Sequence, residues 1–580
     1  MARGDNTRKI TRARAVEAIL AHNGDLSAAG RALGVSSSTV RYHRNMARKA
    51  GVQLPDPPYF PAKGQKKTDS LAQAERVRQA VTEGWIPPEA EKPLTGGRID
   101  PRDIIKRPLP SEGRVARYIC TGAVNNTEIH PALWANLTAL GEHFSAEILI
   151  RRIAYNLNAY RQHADTELSG PDGAPAEVYY DAAVLPHICD ERVELAPGLH
   201  WAGDAPVTAT AVSPLSGYDT FTGDASAIFA ATKIEMRSIA TMRGQHAKLL
   251  YTTGVVTQRN YTETKTGQKA DWHHSYAALM VEVDHEGDWF VWHLIADEDG
   301  TVNLPGVVAR NGSVRQARNV AAMTPGDIHA RTLDPSVRNC IFGNGGIIDR
   351  VQPAELHCHD LHDHESRSHH DTRDPFRRFQ LQRAGRDCVA DEVKADAAFL
   401  KEASRDWMRI VVVGSNHDDH LRRWLCEADW RADPVNARFY LQAADRMLEA
   451  TETGADFHLL EWACKRVGAP DDVVFLRPDQ SWTVYGVECG LHGDQGPNGS
   501  RGSVRALSKI GAKVNIGHSH SAGIVDGAWQ AGLTGGSLDV TMDYARGPSS
   551  WSRTMILTYV GGKRSMLTMR GLKLPPLLTP

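Results

Sequence analysis

The spacing of hydrophobic positions divides the chain into a helical start, a weakly patterned segment and a long α/β remainder. Apolar side chains recur at helical spacing over about residues 11–22 and 26–33, which predicts two short helices. A Gly-Val turn followed by serines that can cap a helix predicts a third helix over about 36–49. Residues 1–50 are therefore expected to form a small all-α module.

The chain loses this periodicity over residues 51–112, where proline and glycine recur too often for a core element, and a linker is predicted. Residues 113–314 regain a clear pattern. The segments RVARYICTGA, PALWANLTALGEHFSA and EILIRRIAY are typical of a strand, an amphipathic helix and a second strand. This order favours a parallel unit and predicts a mixed α/β accessory domain, whose role the sequence leaves open.

Five segments of residues 315–580 share one layout, in which a strand-like run leads into a polar loop rich in metal ligands. The candidate side chains are Asp327 and His329, Asp360 and Asp363, Asn416, His417 and Asp418, His492 and Asp494, and His518 and His520. Ligands at the carboxyl ends of neighbouring strands meet in one crevice of an α/β sheet. These side chains are therefore expected to converge.

Together the five segments resemble the calcineurin-like metallophosphoesterases, whose motifs are D-x-H, G-D-x-x-D, G-N-H-D/E, a lone His and G-H-x-H. The resemblance covers about residues 315–560. It implies an α/β fold, a four-layer α-β-β-α sandwich over 315–580, and hydrolysis of phosphoesters. Two loops depart from the family pattern but keep the ligand atoms: His359 stands where glycine is usual, and Gly414–Asp418 is one residue longer than G-N-H-D.

The resemblance also implies two divalent cations, with Mn²⁺ favoured and Mg²⁺, Fe²⁺, Zn²⁺, Co²⁺ or Ni²⁺ as alternatives. The implied ligands are Asp327, His329, Asp360 and His520 for one cation, and Asp360, Asn416, His492 and His518 for the other. Asp360 would bridge the two cations and is therefore a catalytic candidate. His417 would stabilise developing charge and protonate the leaving oxygen.

Histidine is unusually frequent, with 25 residues in the chain and six of them between 357 and 370. Some of these six could orient metal ligands, and a solvated histidine-rich loop is the alternative. Arg367 is a candidate for a bidentate grip on a substrate phosphate, with a surface arginine as the alternative. Cys358 is expected to be a buried structural thiol, because neighbouring strand residues point to opposite faces.

The net charge of −2 excludes a globally basic, nucleic-acid-binding protein, but residues 1–50 carry ten Lys or Arg and three acidic residues. This segment resembles the helix-turn-helix family, and its third helix would offer Arg41, Tyr42 and Arg44 to DNA. A small three-helix bundle with a solvated basic face is the alternative.

The composition excludes several other classes of protein. No apolar run approaches the roughly 18 residues that a membrane span needs. The charged start has no hydrophobic core of a secretory signal, and the eight cysteines include no C-x-x-C pair. A cytoplasmic protein without disulfides or a zinc ribbon is therefore expected.

A basic module on the same chain as phosphoesterase motifs predicts a DNA nuclease. The whole arrangement resembles the metallophosphoesterase nucleases that some tailed phages make early in infection, which implies degradation of DNA in the host cytoplasm and a possible homo-oligomer. Two alternatives stay open. One is a phosphomonoesterase or cyclic-nucleotide phosphodiesterase, and the other is a DNA-binding regulator with a vestigial metal site.

Overall fold

A computed structural model provides the structure of the protein. The described residues are 12–22, 26–33, 40, 43, 44, 47, 104–155, 180–242, 244–371, 373–535 and 547–579. They belong to two compact units, Met1–Gly97 and Arg98–Pro580. Among these residues, no helix is both long enough and apolar enough to cross a membrane.

The first unit contains helices α1 (Arg12–Ala21) and α2 (Leu26–Leu33), which confirms the first two predicted helices. Its buried core includes Ile19, Ala29, Val40 and Ala47. Most of the predicted third helix, including Arg41 and Tyr42, lies outside the described residues. The helix-turn-helix therefore stays a prediction.

The second unit is a mixed α/β structure, as predicted. Its strands are β1 (Ile105–Lys106), β2 (Ala116–Val124), β3 (Glu147–Ile153), β4 (Arg192–Ala196), β5 (Leu199–Ala202), β6 (Ser226–Phe229), β7 (Met236–Ile239), β8 (Lys248–Thr252), β9 (Ala277–Val283), β10 (Trp289–Ile295), β11 (Val302–Leu304), β12 (Val307–Arg310), β13 (Ser313–Gln316), β14 (Val320–Thr324), β15 (Glu355–Cys358), β16 (Arg409–Val412), β17 (Val474–Phe475), β18 (Thr483–Val484), β19 (Val487–Glu488), β20 (Lys513–Ile516), β21 (Gly523–Val525), β22 (Ala528–Gln530), β23 (Thr554–Tyr559) and β24 (Arg564–Thr568). Its helices are α3 (Pro131–Phe144), α4 (Lys265–His273), α5 (Pro335–Phe342), α6 (Ile347–Val351), α7 (Pro375–Arg383), α8 (Val389–Ala403), α9 (Asn416–Glu427), α10 (Ala437–Thr453), α11 (Leu459–Arg466) and α12 (Val504–Leu507).

The unit begins with the predicted strand–helix–strand arrangement. Strands β2 and β3 pair in parallel, and α3 connects them. They belong to a four-stranded sheet of order β10-β9-β2-β3, in which β9 pairs antiparallel with both β2 and β10. Strands β2 and β3 form where predicted, and the sheet is stable because apolar runs such as the fully buried β9 are covered on both faces.

An eleven-stranded sheet joins the middle of the chain to its C-terminal part. Its order is β1-β4-β5-β6-β8-β7-β21-β22-β20-β19-β18. Because strands from both sides of residue 314 share this sheet, the predicted boundary at 314 does not separate two compact units. Ile105–Lys106 pairs in parallel with β4, so this end of the predicted linker belongs to a sheet. Residues 51–103 of that linker lie outside the described residues.

A six-stranded sheet, of order β17-β16-β15-β14-β23-β24, forms the other half of the C-terminal part. Strands β14 to β17 are parallel neighbours, so their carboxyl ends meet at one edge. Leu557 of β23 packs in the core that includes helices α8 and α11, whereas Ile556 packs with Ile524 and Trp529 of the eleven-stranded sheet. The two sheets are also joined by Asn515 Nδ2, which donates to Thr558 Oγ1 at 2.9 Å.

Candidate metal centre

The parallel strands of the six-stranded sheet end side by side and carry the first three motifs. Asp327 follows β14, Asp360 follows β15, and Asn416 begins helix α9 after β16. Backbone pairing continues past the strand ends, since the amide of His329 donates to the carbonyl of Asp360 at 2.8 Å. The D-x-H loop and the second motif are thereby held next to each other.

The eleven-stranded sheet supplies the remaining motifs. His492 follows β19, and His518 and His520 follow β20. The amide of His518 donates to Asp327 Oδ1 at 3.1 Å, which connects the two sheets at this point. A Cβ on Gly517 would lie only 2.2 Å from that same Oδ1, so the G-H-S-H motif needs glycine here.

Asp360 lies at the middle of the converging side chains. Its Oδ1 is 3.2 Å from His492 Nε2, and its Oδ2 is 3.8 Å from His329 Nε2. On the other side, His520 Nε2 is 3.1 Å from Asp327 Oδ2. Asp360 therefore faces histidines from both sheets, which is the placement that a bridging carboxylate requires.

The ligand atoms are buried and lack well-formed hydrogen bonds. The side chains of Asp327, His329, Asp360, His492 and His520 belong to residues that are at most 5% exposed. The atoms without a hydrogen-bond partner include Asp327 Oδ2, His329 Nδ1 and Nε2, Asp360 Oδ1, Asn416 Oδ1 and His492 Nε2. Leaving a buried polar atom unpaired costs about 1–3 kcal/mol. Cations would give these atoms partners, so the residues present fit divalent metal ions.

Four of the candidate ligands have left-handed backbone conformations. His329, Asp360, His518 and His520 have φ values of 47°, 45°, 76° and 60°. This left-handed region is uncommon for residues other than glycine and costs roughly 1–3 kcal/mol in unfavourable cases. Such strain concentrates at functional sites, and here it falls on four of the seven predicted ligands.

Electrostatics keeps both central carboxylates ionised. Burial would raise the pKa of Asp327, but the neighbouring His520, His492 and His329 outweigh burial and lower it. Burial would likewise raise the pKa of Asp360, and His492 and His417 contribute to the opposite, prevailing shift. Ionised carboxylates are the form that binds cations.

The structure gives a role to Asp363, which the sequence analysis named without a function. Its Oδ1 lies 3.4 Å from His417 Nδ1 and 3.2 Å from His329 Nδ1. Burial would lower the pKa of His417, but the carboxylates of Asp360 and Asp363 outweigh burial and raise it to about 10. These carboxylates therefore favour the protonated form of His417, and Asp363 lies beside its ring.

His359, which departs from the motif and is one of the six clustered histidines, lies beside the candidate ligands. It is fully buried, and its Nδ1 lies 3.3 Å from His492 Nδ1. One ligand atom each from Asp327, His359 and His492 lies within 4.8 Å of the others. Burial lowers the pKa of His359 to about 3, so its imidazole is neutral and able to bind a metal. The signal in the sequence was the histidine itself, at a position where glycine is usual.

Comparison with known proteins identifies a relative over most of the chain. No family model matches the chain, and no solved structure matches it. Protein A1 of Escherichia phage T5 is 35% identical over 468 residues, which cover 78% of this chain and 82% of that protein. The chain belongs to the family of phage T5 protein A1. This membership confirms the predicted relationship to phage proteins, and the name A1 states no activity.

In this member of the A1 family, a cavity of about 960 Å³ opens beside the candidate centre. His520 and Trp551, whose rings are 4.7 Å apart, line one part of it. Arg501 and Arg505 line another part, and Arg237 of β7 contributes from the segment before residue 314. The segment that was predicted to be an accessory domain thus builds part of the wall of this cavity.

Other predicted residues of this A1-family chain lie elsewhere. Arg367 was a candidate for binding a substrate phosphate, but its guanidinium is already paired. Its Nε and Nη2 each lie 2.6 Å from the carboxylate of Asp433. Cys358 is fully buried in an apolar core, as predicted. Arg44 has helical backbone, whereas Arg41 and Tyr42 lie outside the described residues.

Proposed function

We propose that this member of the A1 family is a metal-dependent nuclease of the calcineurin-like metallophosphoesterase superfamily that hydrolyses phosphodiester bonds of DNA. One observation carries the proposal. Side chains from the ends of two packed sheets converge on a buried point, where several of their ligand atoms have no hydrogen-bond partner. Neither sheet supplies all of these side chains, so the site exists only where the two sheets pack together.

The order of layers supports the proposed four-layer α-β-β-α sandwich. Helices cover one face of the six-stranded sheet, and its other face packs on the eleven-stranded sheet. On the second sheet, the short helix α12 packs against β21 and β22. The chain departs from a symmetric sandwich because the second sheet continues into strands β1 and β4 to β8.

The centre would hold two divalent cations. The proposed ligands are Asp327, His329, Asp360 and His520 for one cation, and Asp360, Asn416, His492 and His518 for the other. These side chains offer nitrogen and oxygen without thiolate, which suits Mn²⁺ and also allows Mg²⁺, Fe²⁺, Zn²⁺, Co²⁺ or Ni²⁺. Two cations in such a site supply Lewis acidity toward the phosphoryl group and an activated water nucleophile.

Side chains of the protein would donate the proton to the leaving oxygen and attract the substrate. His417 holds a proton that it can donate to the leaving oxygen, and Asp363 keeps the ring in position. Arg501 and Arg505 line the cavity and form no ion pair with an acidic side chain of the described residues. They are therefore available to attract the phosphates that flank the scissile bond.

The preference for DNA rests on charge. The excess of basic residues in 1–50 gives the first unit an affinity for polyanions. A DNA-binding module on the same chain raises the effective concentration of phosphodiesters at the centre. The relationship to a phage protein fits a nuclease that degrades DNA in the cytoplasm of an infected bacterium.

Purified protein incubated with plasmid DNA and Mn²⁺, with and without a chelator, tests this proposal. Nitrophenyl phosphate serves as the monoester control. Loss of plasmid that depends on the metal is the expected result. Turnover of the monoester alone would indicate a phosphomonoesterase, and a gel shift without cleavage would indicate a DNA-binding regulator.

A further inference from the structure

A second group of buried ligand-type side chains lies next to the candidate centre and takes no part in it. His362 and His364 come from the loop after β15, and Glu392 comes from α8. Each offers one ligand atom, and these atoms lie within 4.8 Å of one another. All three residues are at most 1% exposed. We refer to them as the His362 cluster.

The geometry of the two histidines matches a shared cation. His362 Nε2 lies 3.2 Å from His364 Nδ1, a separation that two nitrogens have when each is about 2.0–2.1 Å from one tetrahedral ion. The other nitrogen of His362 lies 2.6 Å from Asp396 Oδ2. A carboxylate in this position is how proteins commonly orient a metal-binding imidazole.

Three buried carboxylates lie in or around the cluster, and one of them, Asp396, pairs with His362. Glu392, Asp396 and Asp418 are all buried, and among the described residues no lysine or arginine forms an ion pair with any of them. Asp396 Oδ1, Asp418 Oδ2 and His364 Nε2 also have no hydrogen-bond partner. Buried carboxylates require a compensating charge, and a divalent cation would supply it.

Glu392 already connects the loop to α8. Its carboxylate accepts from the amide of Glu365 at 2.7 Å and from the amide of Ser366 at 3.1 Å. An ionised carboxylate has about four acceptor positions, so it can also bind a cation. An ion here would hold together α8 and the loop that carries Asp360 and Asp363.

We propose that the His362 cluster binds a single divalent transition-metal ion, separate from the two cations of the nuclease centre. Imidazole and carboxylate ligands suit Zn²⁺ best among the common ions of this class. The ion would have a positioning role, because it fixes the loop of the second motif. A direct His362–Asp396 pair without an ion is the competing arrangement.

Metal content per chain, measured by mass spectrometry after equilibration with Zn²⁺ and removal of free metal, tests the site. The variants are His364→Ala, Asp360→Asn and the double variant, with His370→Ala as the control from the same loop. We expect His364→Ala to lose one equivalent relative to wild type and His370→Ala to lose none. Asp360→Asn should retain an equivalent that the double variant lacks.

The outcomes separate this site from the proposed nuclease centre. If Asp360→Asn keeps the wild-type content while His364→Ala loses one equivalent, the His362 site stands and the nuclease centre is wrong. Wild-type content in His364→Ala would overturn the His362 site. Should His364→Ala fold poorly, Glu392→Gln and anomalous diffraction from wild-type crystals with Zn²⁺ decide the question. Zinc at the nuclease centre without zinc between His362 and His364 would also overturn the proposal.

Discussion

At the scale of single residues, Asp360 connects the two sides of the candidate centre. Its two oxygens face His492 and His329, and the residue is 1% exposed. Asp360→Asn replaces one of these two oxygens by an amide nitrogen, which cannot bind a cation. The single oxygen that remains can then face only His492 or only His329. We expect this variant to lose bound Mn²⁺ and more than about 100-fold of its plasmid cleavage. Metal content and cleavage rates measure the two effects.

Asp471→Asn is the matched control, because it makes the same chemical change at an exposed turn after α11. Circular dichroism should show that both variants keep the wild-type fold. Normal cleavage by Asp360→Asn would show that this residue is not the bridge.

His417 offers a second prediction, since a proton donor matters most when the leaving group is a poor one. The leaving oxygen of a DNA strand needs a proton, whereas nitrophenolate leaves readily without one. We expect His417→Asn to slow plasmid cleavage by about 10²–10⁴-fold and to slow bis-nitrophenyl phosphate hydrolysis much less. Metal content should not change.

The control for this prediction is His420→Asn, one turn further along α9, where the ring lies 4.9 Å from that of His417. Its effect on the two substrates should be small and similar. Equal losses on both substrates in His417→Asn would assign His417 a structural role and exclude proton donation.

At the scale of elements, the turn after β20 depends on the absence of a side chain at Gly517. A Cβ there would approach Asp327 Oδ1 to 2.2 Å and the His359 Cβ to 3.3 Å. Gly517→Ala should therefore displace a metal ligand and raise the Mn²⁺ concentration needed for half-maximal activity by about 10–100-fold. Titration of activity with Mn²⁺ provides the measurement.

Gly141→Ala is the control, because a Cβ at this position in α3 meets no atom closer than 3.4 Å. It should leave the Mn²⁺ dependence unchanged and stabilise the helix by up to about 1 kcal/mol. If Gly517→Ala needs no more Mn²⁺ than this control, the close approach to Asp327 is not important.

The elements also show what a single sequence can predict. Strands β2, β3 and β16 and helix α3 lie where they were predicted, because long apolar runs and amphipathic spacing are local signals. The eleven-stranded sheet was not predicted. It is built from short strands that are separated by hundreds of residues, and their pairing depends on tertiary contacts.

The candidate site was predictable to a similar degree. The motifs named seven candidate ligands, and six of them, all except Asn416, make the contacts described above. The sequence could not show that Arg367 binds Asp433, because the partner lies 66 residues away in the chain. His359 was visible in the sequence as a departure from the motif and as one of six clustered histidines, and its contact with His492 could be seen only in the structure.

At the scale of the whole molecule, three sheets meet around His293. This residue of β10 donates from its backbone amide to Ser565 Oγ of β24 at 2.8 Å, and its ring is 5.3 Å from that of Trp529 of β22. Burial lowers the pKa of His293 from 6.5 to about 3. As the pH falls below 6.5, the unfolded chain therefore binds a proton that the folded protein does not.

Acid should thus weaken the packing of the three sheets. Between the two pKa values, His293 lowers the free energy of unfolding by about 1.4 kcal/mol per pH unit. His293→Gln should make the pH dependence shallower by about this amount, measured by denaturant unfolding at several pH values below 6.5. His285→Gln, in the exposed turn between β9 and β10, is the control and should keep the wild-type slope. Equal slopes in both variants would contradict the prediction.

The cavity beside the centre provides the last prediction, because its wall combines side chains that are far apart in the sequence. We expect Arg501 and Arg505 to contact the part of a substrate that extends beyond the scissile phosphate. The double variant Arg501→Ala/Arg505→Ala should therefore raise the KM for plasmid and leave hydrolysis of bis-nitrophenyl phosphate nearly unchanged. It should also reduce the slope of log KM against log salt by about 2, because each arginine would neutralise about one phosphate.

The matched control is Arg438→Ala/Arg446→Ala on α10, which removes the same charge at positions that do not line the cavity. The basic first unit should contribute a separate part of the salt dependence, which disappears when residues 1–97 are deleted. Because the two contributions arise from different parts of the chain, the arginine variant should reduce the slope by the same amount in the shortened protein. If the slope does not change, the cavity does not hold the DNA backbone, and the DNA would have to reach the metal centre along another surface.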